Sequence, residues 1–262
     1  MLGSIIGDIV GSRFEFHNIK TKDFLLFDKS CCFTDDTILT CAVAEHLISK
    51  QPIEETLRKW ALKYQNRTYE NGEIGAFGKG FLQWVNTGVS INSSSNGCVM
   101  RISPIFHIKQ DQQSLFKKAD EITKITHNHP ESLNAVHAYL ETGFMIQNLI
   151  PIKQIKETIS NKYQYNLHQN LDEIRPNYNR FYVKCKNSVP QAIICALDAC
   201  SYEDALRNAV SLGGDSDTLA CMAGGLAELR FKILKNIIAE AKQYMDKDIL
   251  KQIETFYNTI EK

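Results

Sequence analysis

Two short acidic clusters carry the strongest chemical signal in this 262-residue sequence. One reads Thr34-Asp35-Asp36-Thr37. The other reads Asp215-Ser216-Asp217-Thr218 and directly follows Gly213-Gly214. Each precedes an apolar, helix-like stretch. Each therefore falls at a loop-to-helix junction, where free backbone N–H groups and the positive dipole end favour acids. Asp, Ser and Thr are also the preferred helix caps, so either cluster alone reads more readily as a cap than as a site. Two such clusters shift the balance, because carboxylates packed together repel unless a cation neutralises them. Their oxygens are hard ligands that suit Mg²⁺, Mn²⁺ or Ca²⁺ better than zinc. A third acid, Glu15, ends the stretch Gly7-Asp8-Ile9-Val10-Gly11-Ser12-Arg13-Phe14-Glu15. Gly3, Gly7 and Gly11 recur there at helical spacing and give that helix a smooth face for close packing.

The elements that must position these acids are helical. Ile53, Leu57, Trp60, Ala61 and Tyr64 predict a helix over 53–64 after Pro52. Leu115, Phe116, Ala119, Ile122 and Ile125 predict another over 115–125, with Ser114 as its cap. Pro130 opens a third stripe over 131–148, and Ser188 and Pro190 introduce a helix through Leu197. Helices over 202–211 and 218–230 flank Gly213-Gly214, and two more fill the C-terminal part. Strand signals are confined to Phe24–Phe27 and Phe181–Val183, and the polar stretch 161–187 reads as a long loop or insertion. No linker or repeat divides the chain. The expectation is one all-α domain over residues 1–262.

Lys plus Arg and Asp plus Glu both number 30, so the chain has no bulk attraction to nucleic acid or an anionic membrane. With 44% hydrophobic residues it is too apolar to be disordered. No Lys or Arg precedes the N-terminal apolar stretch, Asp8 interrupts it, and no apolar run approaches the ~18 residues of a membrane span. The eight cysteines contain no C-x-x-C pair, and Cys31 and Cys32 are adjacent. Free thiols in a reducing cytoplasm are expected.

Three further stretches complete the set. Ser93-Ser94-Ser95-Asn96-Gly97-Cys98-Val99-Met100-Arg101 has the small residues that let backbone N–H groups approach a pyrophosphate, and on composition alone it also fits a surface loop. Arg101 suits a phosphate contact and a helix-bracing ion pair about equally. Thr126-His127-Asn128-His129-Pro130-Glu131 offers histidines that, on their own, read as caps or surface residues. Asn71-Gly72-Glu73-Ile74-Gly75-Ala76-Phe77-Gly78 is a glycine-rich loop with one acid, and Phe81 and Trp84 after it read as core.

In order, G-D-x-x-G-x-x-x-E, T-D-D-T, S-N-G-x-x-M-R, T-H-x-x-P and G-G-D-S-D-T resemble the ADP-ribosylglycohydrolase family, from Gly7 to about Gly225. The resemblance implies an all-α orthogonal bundle with a two-metal cleft holding Mg²⁺ or Mn²⁺. It implies metal ligands at Thr34, Asp35, Asp36, Asp215, Asp217 and Thr218, with Ser216 standing where the family more often has Thr. It assigns catalysis to Glu15 or Asp36. It assigns ADP-ribose binding to Ser95, Asn96, Gly97 and His127, and to Glu73 and Gly75 of the glycine-rich loop, where an acid faces arginine acceptors. The implied reaction is hydrolysis of the bond between ADP-ribose and an acceptor on a protein or small-molecule conjugate. A metal-dependent phosphoesterase cutting the pyrophosphate, and a non-catalytic ADP-ribose binder of the same fold, stay open as alternatives.

Overall fold

In the computed structural model, which describes residues 1–68 and 77–261, helix α11 (Ser216–Ala227) is buried along its whole length. A helix apolar on all sides must be enclosed by others. Helix α1 (Leu2–Ser12) lies antiparallel against it at backbone contact. A Cβ on Gly7 would lie 2.1 Å from the Ala220 carbonyl oxygen, one on Gly3 would lie 2.4 Å from the Gly224 oxygen, and one on Gly11 would lie 2.5 Å from Asp217 Cα. The glycine stripe therefore acts as the sequence predicts. At the far end, Glu228 Oε2 accepts from Gly3 N at 2.8 Å, and the Tyr202 hydroxyl donates to Gly3 O at 2.7 Å.

The remaining helices wrap this pair. Helix α2 (Asp35–Ser49) packs against α3 (Ile53–Tyr64) and α13 (Lys247–Ile260). Helices α5 (Gln112–His127), α6 (Pro130–Gln147) and α7 (Ile152–Tyr163) form successive antiparallel neighbours. Helices α9 (Cys185–Leu197) and α10 (Tyr202–Leu212) cover α11. Helix α4 (Lys79–Thr87) follows the undescribed residues 69–76, and α12 (Lys235–Ala241) precedes α13. One hydrophobic core runs from Met1 to Phe256. The described residues contain no sheet, only isolated bridges between Asn92 and His127 and between Ser95 and Lys184. The eight cysteines are unbridged.

Several expectations need correction. The stretch 161–187 is not one loop: it holds α8 (Leu171–Asn177), capped by Asn170, which accepts from Asp172 N at 2.8 Å. Only Leu171 and Ile174 of that short helix are buried, too few to make a visible stripe. Asp111, not Ser114, caps α5. Helix α9 begins at Cys185, before Ser188, and carries Pro190 in its second turn. Phe24–Phe27 and Phe181–Val183 form no strand.

The backbone contact makes a stability prediction. Gly7→Ala should cost about 1–3 kcal/mol, because backbone rather than a side-chain tip must move. That is a fall of about 3–10 °C in Tm. Gly80→Ala, whose Cβ would meet Ile91 Cδ1 at an ordinary 3.5 Å, should be neutral or stabilising by up to about 1 kcal/mol. Thermal denaturation of both variants checks this, and an unchanged Tm for Gly7→Ala contradicts it.

Candidate metal centre and ligand cleft

The antiparallel pairing sets the end of α1 beside the start of α11, so Asp8 and the residues after α1 reach Asp215 and Asp217. Asn18 fixes the turn that carries Glu15. Its Nδ2 donates to Phe14 O at 2.6 Å, Glu15 O at 3.0 Å and Gly214 O at 3.0 Å, and its Oδ1 accepts from Gly214 N at 2.7 Å. Gly213 and Gly214 both have positive φ, 76° and 72°, which makes the turn before α11 a glycine turn.

Asp8 joins α2 to this pair. Fully buried, it accepts from Thr34 N at 2.9 Å, Thr37 N at 3.1 Å and the Thr34 hydroxyl at 2.7 Å, and the Thr37 hydroxyl also donates to it. It thus satisfies the N-terminal amides of α2 and orients Asp36 toward α11. The Thr218 hydroxyl then donates to Asp36 Oδ2 at 3.2 Å, bridging the two acidic clusters.

Two overlapping carboxylate groups result. Asp8, Asp36 and Asp217 each place an oxygen within 4.8 Å of the others, and Glu15, Asp215 and Asp217 do the same. Asp217 belongs to both. Asp36 Oδ1 and Asp217 Oδ1 are buried with no hydrogen-bond partner. No described Lys, Arg or His forms an ion pair with Asp8, Asp36, Asp215 or Asp217. Burial first, and then the charges of Glu15, Asp215, Asp36 and Asp8, hold the Asp217 carboxyl well above the usual carboxylate range. Burial and the neighbouring Asp8, Asp35 and Asp215 do the same to Asp36. Burial also raises Asp8 against its four hydrogen bonds, and Asp215 against its bond from Asn96. Buried, partnerless, mutually repelling carboxylate oxygens fit a hard divalent cation. The all-oxygen donor set fits Mg²⁺ or Mn²⁺ chemistry.

The expected residues divide by position. Asp36, Asp215, Asp217, Thr218 and the half-buried Glu15 line a cleft of about 360 Å³. Asp35 also lines it but stands outside both carboxylate groups. Thr34 does not line it. Its hydroxyl caps α2, accepting from Asp36 N at 3.3 Å, and donates to Asp8. Asp215 occupies the cap position of α11 yet makes no cap bond, and its Oδ2 accepts from Asn96 Nδ2 at 2.6 Å. The cap reading therefore suits Thr34 and not Asp215.

Ser95, Asn96, Gly97 and His127 line the same cleft, together with Arg101 and the apolar Leu39, Ile91 and Met100. The Asn96 amide donates to Val183 O at 2.8 Å and the Ser95 amide to Ser93 Oγ at 3.2 Å. One amide is spent on Val183 and the other on the loop itself, so these residues offer side chains to the cleft in their place. Gly97 lies over the imidazole, where a Cβ would stand 3.4 Å from His127 Nε2. Arg101 makes no ion pair among the described residues. It donates to Ile122 O at 3.2 Å and to the Thr126 hydroxyl oxygen at 2.9 Å. Phe81 and Trp84 are buried as expected, with Phe81 also at the cleft. Glu73 and Gly75 lie outside the described residues.

Sequence reasoning missed Asp8 and Asn18. An aspartate inside an otherwise apolar helix was the available signal for Asp8, since a buried carboxylate needs donors. Asn18 carried none.

Comparison with known proteins agrees with this architecture. The ADP-ribosylglycohydrolase family model matches residues 1–231. The chain is 23% identical to ADP-ribosyl-[dinitrogen reductase] glycohydrolase of Rhodospirillum rubrum, over 97% of this chain and 92% of that protein. It is 21% identical to ADP-ribosylhydrolase ARH3 of Danio rerio, over 89% of this chain and 82% of that protein. A solved structure described as an ADP-ribosylglycohydrolase-related protein complex superposes with a TM-score of 0.65 at 17% identity, covering 99% of this chain and 95% of its own. The matched residues include both acidic clusters, the serine loop and the histidine, and the chain belongs to the ADP-ribosylglycohydrolase family.

Proposed function

We propose that this protein is a divalent-cation-dependent hydrolase that cleaves the glycosidic bond between ADP-ribose and an acceptor and releases ADP-ribose. The observation that carries the reading is the pair of carboxylate groups sharing Asp217 in a cleft that Ser95, Asn96, Gly97, His127 and the buried Arg101 also line. Two ions, Mg²⁺ or Mn²⁺, would be held by Asp36, Asp215 and Asp217, with Asp35, Glu15, Thr218 and Thr34 completing or supporting the set. When bound, the cations supply the positive charge that neutralises the carboxylates and polarises ligand oxygens.

The chain's own residues do the rest. Ser95, Gly97 and His127 bind the diphosphate-ribose, and Asn96 orients Asp215 through its 2.6 Å bond. Asp36 is only 2% exposed and accepts from Thr218, so it serves as a held ligand. Glu15 is the more accessible carboxylate and moves the proton: it takes one from the attacking water and returns one to the departing acceptor. Water's oxygen bonds to the anomeric carbon as the bond to the acceptor breaks. The remaining carboxylates stabilise the positive charge that develops on the ribose. The reading includes a single domain, a cytoplasmic location, which suits eight free thiols, and an ADP-ribosylated protein or small-molecule conjugate as substrate. No described helix is long and apolar enough to cross a membrane.

Asp217→Ala should lower turnover by more than the about 10–100-fold that loss of an outer partner costs, with the helical circular dichroism retained. Excess EDTA should abolish wild-type turnover. Mass spectrometry of products checks the reaction: intact ADP-ribose is expected, whereas AMP with ribose phosphate identifies the phosphoesterase. Binding of ADP-ribose without turnover of any conjugate identifies a non-catalytic binder.

Cation binding should also register in stability. In the cation-free protein the buried aspartates keep protons that the unfolded chain releases in the ordinary carboxylate range. The stability these protonated groups contribute is lost as pH rises through their raised values. Cations replace those protons and offset the loss. At about 100 times the dissociation constant, Mg²⁺ or Mn²⁺ should add about 2.7 kcal/mol, a rise of several degrees, larger at pH 8 than at pH 5.5. An equal rise in Asp217→Ala contradicts this.

The acceptor we favour is a protein arginine, because Glu73 supplies an acid in the glycine-rich loop. Glu73→Ala should then impair turnover of arginine-linked ADP-ribose more than affinity for free ADP-ribose. Equal effects in a panel of defined conjugates refute that choice.

A further inference from the structure

Arg101 is a fully buried cation that the hydrolytic reading leaves without a task. No described carboxylate pairs with it, and its Nε and Nη1 are buried with no hydrogen-bond partner. Burial pulls its pKa down to about 10, which leaves it charged at neutral pH. Its one engaged nitrogen, Nη2, donates to the Ile122 carbonyl at 3.2 Å and to Thr126 Oγ1 at 2.9 Å.

The direction of the next bonds follows from the inventory of donors. A guanidinium has no acceptor, so the Thr126 oxygen must accept from Arg101. The Thr126 hydroxyl has one other polar partner, His127 Nδ1 at 2.7 Å, and its own proton goes there. Burial, and then the charge of Arg101, keep His127 neutral. A neutral imidazole that accepts at Nδ1 carries its proton on Nε2. That nitrogen lies 3.0 Å from Ser95 Oγ. Ser95 therefore accepts from His127, and its own proton is left for Ser93 Oγ at 2.8 Å or for a ligand oxygen in the cleft. The opposite tautomer would strand the Thr126 proton and make Ser95 the donor to His127. The Ser95 oxygen would then present only lone pairs to an anionic ligand.

We infer that Arg101 is a positioning residue: acting through Thr126, it locks His127 as the Nε2–H tautomer and makes the Ser95 hydroxyl a hydrogen-bond donor toward the anionic oxygens of the ligand. The lock itself belongs to the ligand-free protein, and only its use on a diphosphate rests on the proposed hydrolase function.

Long-range ¹H–¹⁵N NMR of ¹⁵N-histidine-labelled protein without ligand reads the tautomer, with the His127 signals assigned by their loss in His127→Gln. The wild-type protein should show Nε2–H. Thr126→Val should move His127 to a mixture or to Nδ1–H, and Thr126→Ser should restore it. Calorimetry should show about tenfold weaker ADP-ribose binding for Thr126→Val, one hydrogen bond's loss, and near wild-type binding for Thr126→Ser. With substrate, the same change should raise KM and spare kcat. An Nδ1–H tautomer in the wild type overturns the proposal, and so does an unchanged tautomer in folded Thr126→Val. If Thr126→Val does not fold, the wild-type spectrum decides alone. Failure of the hydrolase reading would appear separately, as absence of turnover with the tautomer intact.

Discussion

The backbone contact between α1 and α11 is the constraint on which the rest of the molecule depends. Two helices far apart in sequence touch where glycines of α1 meet backbone of α11. Because they run antiparallel, the end of one meets the start of the other. Asp8, Glu15, Asp215 and Asp217 then have no room to separate. Helix α2 joins them through Asp8, which binds its first amides and hydroxyls, and through the bond from Thr218 to Asp36. A bulkier residue at Gly7 or Gly11 would push apart the chemical groups as well as the helices.

This geometry opposes the chemistry of the groups it gathers. Buried carboxylates repel, and a free Asp36 Oδ1 and Asp217 Oδ1 lose their hydration without gaining a partner. The fold tolerates them because the surrounding core is extensive and α11 is enclosed on every side. The serine loop and the histidine beside it are built on another principle. There a buried cation, Arg101, forms no ion pair among the described residues, and a chain of hydrogen bonds runs from it through neutral hydroxyl and imidazole groups. Carboxylates beside a serine loop, a neutral imidazole and a buried guanidinium suit a ligand whose anionic part and ribose part need opposite treatment.

Much of this was legible in the sequence, for local reasons. Helix 53–64 matched its apolar stripe, and Gly213-Gly214 marked the turn before α11, since only glycine takes two successive positive φ values easily. The two acidic clusters were visible as clusters, but their meeting was a tertiary fact that motif order alone implied. What escaped reading was long-range satisfaction of polar groups. Asp8 looked like an interruption of an apolar run, although its partners lie on α2. Asn18 sits in an ordinary loop, yet it ties the turn after α1 to the turn before α11. Arg101 was balanced between a phosphate contact and an ion pair, and its contacts are a carbonyl and a threonine hydroxyl. Helix α8 was missed because two buried residues are too few to set a period.

The central claim is that the α1–α11 junction assembles a cation site from carboxylates far apart in sequence. Anomalous diffraction from crystals grown with Mn²⁺ tests it most directly. The account predicts manganese peaks at Asp217, flanked by Asp36 on one side and by Glu15 and Asp215 on the other, and their loss in Asp217→Ala. Crystals saturated with Mn²⁺ that show no peak at these carboxylates, or show it only at surface acids, would contradict it.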